Sequence, residues 1–99
     1  MKFIEYNRTV AGLAFCADEK NEVWRKGIPI PGVNPDNFRL DICGSEMKYE
    51  DYGCTLSRYG WEIDHILPVS KLGLDSLSNL QPLQWENNRK KGDTFPWEC

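Results

Sequence analysis

The clearest alternation in the chain is WEIDHIL, residues 61–67. Trp61, Ile63 and His65 fall on one side of it, Glu62, Asp64 and Ile66 on the other. A period of two predicts a strand, and Pro68 ends its ladder because proline has no N–H to donate. FRLDIC, residues 38–43, alternates likewise and predicts a short strand stopped by Gly44. LQPL, residues 80–83, reads as a further strand that Pro82 keeps short or at an edge. Val10, Leu13, Ala14 and Ala17 fall at helical spacing, so residues 1–24 read as mostly helical despite Gly12. QWENNRKK, residues 84–91, predicts a second helix closed by Gly92, with Arg89, Lys90 and Lys91 in the last turn, where the helix dipole favours cations.

The intervening segments read as irregular. GIPIPGVNPDN, residues 27–37, is too rich in proline and glycine for a helix or central strand and predicts an extended connector. Residues 45–60 read as loop with at most one helical turn. Residues 69–79 read as a loop with Gly73, Asp75 and Asn79 as turn formers. Phe95 and Trp97 make the tail a hydrophobic strap. Residues 61–92 therefore form a ββα unit. A chain of 99 residues is expected to be one α+β domain over residues 1–99. Its ββα core spans about residues 59–92, behind an accessory region over residues 1–58 that holds the helical segment and the Pro/Gly-rich connector.

Composition narrows the classes. The hydrophobic share of 40% and charged share of 27% are those of an ordinary globular protein. No apolar run approaches the roughly 18 residues of a membrane span. VAGLAF is too short for a signal-peptide core, so a cytoplasmic protein with no membrane partner is expected. Cys16, Cys43, Cys54 and Cys99 form no close pair; their even count leaves a secreted disulfide scaffold open, but without a signal peptide free or buried thiols are expected. The net charge of −3 argues against indiscriminate nucleic-acid binding. Residues 57–92 nonetheless carry five basic groups against four acidic ones, so the acidic excess lies elsewhere.

Three polar positions in the ββα unit invite a chemical reading: Asp64-His65, Asn79 and Asn87-Asn88. Each also has a plain structural reading. A lone histidine is usually structural, and asparagine suits any turn. Two asparagines inside a helix, however, cost on the order of ~1 kcal/mol against alanine. A local rule broken in this way often marks function. A hard divalent cation needs only one or two protein oxygens and keeps its waters. Asp64 and a helix asparagine make such a pair, and a neutral imidazole beside it can take a proton from an attacking water. Arg89, Lys90 and Lys91, with Lys71 in the loop, are the expected phosphate contacts.

WEIDHILPVSKLGLDSLSNLQPLQWENNRKKGD resembles the HNH nuclease motif, a ββα-metal finger. His65 matches its first histidine, Asn79 its central asparagine, and Asn88 its third position, which is histidine or asparagine. The resemblance implies a DNA endonuclease using one divalent metal ion, Mg²⁺ or Mn²⁺. It makes Asp64 and Asn88 the metal ligands and His65 the general base. It gives Asn79 the task of orienting His65 through a hydrogen bond. Weaker likeness to small bacterial and phage proteins extends over residues 22–99, and residues 1–21 resemble nothing we can place. Where many members carry zinc-binding cysteines, this chain has Gln84 and Asn87, so no structural zinc is expected. The acidic balance favours a protein that needs a protein partner, a restricted substrate or low salt, and a single active unit implies nicking, or double-strand cleavage only by a homodimer. The alternative to an enzyme is a non-catalytic module that binds nucleic acid or protein through the same ββα fold.

Overall fold

A computed structural model describes residues 4–99, and residues 1–3 of the expected N-terminal helix lie outside the described residues. The elements run α1 (Ala17–Trp24), β1 (Ile28–Pro29), β2 (Phe38–Leu40), β3 (Glu46–Lys48), β4 (Trp61–His65), β5 (Leu80–Gln84) and α2 (Trp85–Lys91). The first three strands form one antiparallel sheet in the order β1-β2-β3, and β4 pairs antiparallel with β5 in another. In the second pair Trp61 lies opposite Gln84 and His65 opposite Leu80. With α2 behind it, this makes a small α+β fold around a ββα unit.

Aromatic packing joins the two sheets. Trp24 and Trp61 pack tilted, with ring centroids 5.0 Å apart, and Tyr49 and Tyr52 close around them. Val23, Met47, Ile63, Leu80 and Phe15 complete the core. Each buried indole finds an acceptor for its one donor: Trp24 Nε1 donates to the Pro35 carbonyl and Trp61 Nε1 to that of Tyr49. Burial of these rings adds their large apolar area to the hydrophobic driving force.

The N-terminal expectation is corrected. Helix α1 is only eight residues long and starts at Ala17. Residues 9–13 instead turn back on themselves: Thr9 N donates to Leu13 O at 2.8 Å, and Gly12 sits at φ +80°. Val10 and Leu13, whose spacing suggested a helix, are exposed. Glutamate 19 reaches back to the Cys16 amide at 3.1 Å, which fixes the true helix start. The expected connector over residues 27–37 also contributes a two-residue strand, and residues 45–60 contribute β3.

The cysteine expectation is corrected as well. Cys43 and Cys99 form a disulfide, while Cys16 and Cys54 are free. The tail returns to the turn after β2, bringing the two Cα atoms within 5.5 Å across a separation of 56 residues. Nothing in the spacing announced that return. Disulfides persist mainly in oxidising compartments, so this pairing does not fit the reducing compartment expected from the sequence. Among the described residues no helix is long and apolar enough to cross a membrane.

Candidate active site

Strand β4 is buried along its whole length, including Glu62, Asp64 and His65. Burying two carboxylates requires partners, and α2 and β5 supply them. The Glu62 carboxylate accepts a forked pair from Arg89, at 2.6 and 3.0 Å, and a third bond from Asn88 Nδ2 at 2.9 Å. Asp64 accepts from Lys91 Nζ at 3.3 Å on one oxygen and from Gln81 Nε2 at 2.9 Å on the other. Gln84, Asn88 and Lys91 share the buried side of the helix, as spacings of four and three residues dictate. Burial raises the Asp64 carboxyl above its ordinary value, and Gln81, Lys91 and His65 pull the other way without cancelling it.

Asn88 is 2% exposed, and its orientation follows from its neighbour. A carboxylate only accepts, so the amide nitrogen faces Glu62 and the carbonyl oxygen is turned away. That oxygen, Oδ1, is the one buried side-chain polar atom without a hydrogen bond among the described residues. An unsatisfied buried acceptor costs about 1–3 kcal/mol. Asn88, Asp64 and His65 line one cavity of about 350 Å³. Each Asp64 oxygen accepts one hydrogen bond and keeps a lone pair. An orphaned amide oxygen and a carboxylate with spare lone pairs fit a hard divalent cation. Among the described residues no group of three or more His, Cys, Asp or Glu side chains could hold a metal ion.

His65 Nε2 lies 2.7 Å from Asp75 Oδ1, and its ring packs 6.0 Å from that of Phe15. Asn79 does not touch the imidazole. Its side chain accepts from Leu67 N at 2.8 Å and donates to the Leu67 and Leu74 carbonyls at 3.1 and 2.9 Å. The amide thereby pins both ends of the loop between β4 and β5, which includes Gly73. A side chain at Gly73 would bring its Cβ within 1.7 Å of the Leu67 carbonyl oxygen. Asn79 bears on His65 only through the backbone, where its carbonyl accepts from Ile66 N at 2.8 Å. The expected side-chain bond to the histidine is absent because the loop takes both amide hydrogens and turns the oxygen to Leu67 N.

The expected phosphate contacts divide. Lys91 is 3% exposed and turned inward to Asp64 and to the His65 carbonyl at 3.0 Å, which removes it from any outer surface. Its position in the last turn is the inward one, because it follows Asn88 by three residues. Arg89 is committed to Glu62 and covers the Tyr6 ring at 3.8 Å. Lys90 is exposed, and Lys71, also exposed, donates to the Asp93 carbonyl at 2.6 Å.

Two further groups escaped the sequence reading. Asp41, 1% exposed, accepts from Cys43 N and Ser45 N on one oxygen and from Gln84 N and Asn87 Nδ2 on the other. This network clips the turn after β2 to the start of α2. The N-terminal segment forms a wall of the cavity. Asn7 Oδ1 accepts from Ile63 N at 2.9 Å and from the Tyr52 hydroxyl at 2.8 Å, so it satisfies the free edge of β4. Glu62 alone had a signal in the sequence, as the strand neighbour on the same side as Asp64.

Residues 46–97 match the model of the HNH endonuclease family, and the chain belongs to that family. The matched span runs from β3 through α2 into the tail and takes in Asp64, His65, Asn79 and Asn88. No curated protein and no solved structure matches the chain.

Proposed function

We propose that the protein is a divalent-metal-dependent endonuclease that hydrolyses phosphodiester bonds in DNA. The observation that carries the reading is the orphaned oxygen of Asn88, a residue that lines one cavity with Asp64 and His65. Asp64 and Asn88 would hold a cation such as Mg²⁺ or Mn²⁺. Such a cation supplies charge neutralisation at the scissile phosphate and its leaving oxygen. His65 is the general base: the water oxygen bonds to phosphorus as its proton passes to the imidazole, and the leaving oxygen departs. Glu62 holds Asn88 in orientation, and Asn79 holds the loop that follows His65. Lys90 and Lys71 are the cations left to meet flanking phosphates.

A second reading draws on Lys91. Its ammonium already neutralises Asp64, as suits a ββα module that binds nucleic acid or protein without turnover. Supercoiled plasmid separates the two. The nuclease reading predicts nicking with Mg²⁺ or Mn²⁺ that stops with EDTA and with His65→Ala. Cleavage that survives either treatment contradicts the mechanism, and binding without cleavage in any divalent metal supports the module.

A further inference from the structure

Building on the nuclease reading, we propose that Asp75 is a positioning residue for His65, one that fixes which imidazole nitrogen is free to take the proton. Asp75 lies in the loop between β4 and β5, ten residues beyond the histidine. Its Oδ1 stands 2.7 Å from His65 Nε2. A carboxylate only accepts, so the nitrogen facing it carries the hydrogen. In the neutral ring the lone pair is then on Nδ1, which has no hydrogen bond among the described residues. The base is thus presented in one tautomer, and the imidazolium formed when it takes a proton lies against a negative charge. This is the role an aspartate plays beside histidine in other hydrolytic sites.

Asp75 is itself held. Val10 N donates to both its oxygens, at 3.0 and 3.2 Å. The N-terminal segment therefore braces the carboxylate, and Asn7 anchors the same segment to Ile63 on the strand that carries His65. Asn79 fixes the Leu74 carbonyl beside Asp75. Three separate contacts thus converge on the placement of one carboxylate. The turn reading of Asp75 does not explain the contacts of Val10 and Asn7, because they come from outside its own loop.

The test has two arms. His65 is the only histidine, so ¹H–¹⁵N spectra of the imidazole need no assignment. In alkaline buffer, where an ordinary imidazole is neutral, the wild type is expected to show Nε2 protonated with a slowly exchanging proton. Asp75→Ala is expected to lose that slow exchange. Asp75→Asn, which keeps an acceptor for Val10, guards against a folding defect. Both variants are expected to lower kcat on plasmid with Mg²⁺ by roughly 10- to 100-fold, the usual cost of removing a residue behind a reacting group. KM should stay within about twofold, since the carboxylate does not touch DNA. Wild-type imidazole protonated on Nδ1, or variants with unchanged kcat, would overturn the proposal. A wild type that never cleaves counts against the nuclease reading instead, and the spectra still decide the role of Asp75.

Discussion

Lys91→Met isolates the charge balance of the site. Methionine fills nearly the same volume, so little of the effect comes from a cavity. What is lost is the ammonium 3.3 Å from Asp64 and its bond to the His65 carbonyl. Asp64, 7% exposed, is left with Gln81 alone. Removing one partner of a buried ion pair costs about 3–5 kcal/mol. The carboxyl can escape part of that cost by taking up a proton. For an ordinary carboxyl of pKa ~3.9 this escape costs about 4 kcal/mol at pH 7 and about 1.5 kcal/mol at pH 5. The charge penalty is therefore capped near ~4 kcal/mol at neutral pH and shrinks on acidification. The sign agrees with the environment: burial raises the Asp64 carboxyl, so its protonation favours the folded state at low pH and that contribution is lost as pH rises through the folded value. Urea unfolding is expected to show a loss of about 3–4 kcal/mol at pH 7, or roughly 12–30 °C in Tm, and a markedly smaller loss at pH 5. Adding Asp64→Asn to Lys91→Met should recover stability to within about 1.5 kcal/mol of wild type, because the buried charge disappears. A Lys91→Met protein within ~1 kcal/mol of wild type at pH 7, or one with the same loss at both pH values, would refute the reasoning.

The Cys43–Cys99 disulfide closes a long loop, so reduction or a Cys43→Ala/Cys99→Ala pair is expected to cost about 2–4 kcal/mol, read by urea unfolding with and without reductant. An unchanged midpoint would mean that the tail is held by packing alone. Lys90→Ala and Lys71→Ala should each weaken DNA binding and reduce the salt slope by about 1. An equal slope change in Lys91→Met, measured under conditions where that variant is folded, would contradict the inward placement of Lys91.

The ββα unit was legible because its signals are local. WEIDHIL forms its strand over Trp61–His65, and Gly92 closes α2 as the cap pattern predicts. Asn88 rather than Asn87 faces inward, as its spacing from Gln84 and Lys91 dictates. The failures lie where local pattern and tertiary demand part company. Val10 and Leu13 sit at helical spacing, yet that segment lies along the cavity instead of burying a helix face, and the Gly12 turn redirects it. The basic run Arg89-Lys90-Lys91 reads as one patch, although a helix distributes it in three directions. Only contact with Glu62 and Asp64 shows that two of the three charges serve the site from within. Asp75 looks like a turn former in sequence, and Asp41 like a polar position in a strand. Their partners lie up to 65 residues away, beyond the reach of any local rule.

The central claim is that Asp64 and the orphaned Asn88 oxygen form a divalent-cation site beside His65. Paramagnetic Mn²⁺ titration followed by NMR tests it most directly. At substoichiometric metal the Asn88 side-chain amide and the His65 ring signals are expected to broaden first, and Asp64→Asn is expected to abolish that broadening. Broadening that begins at exposed acidic residues and spares Asn88 and His65 would contradict the account.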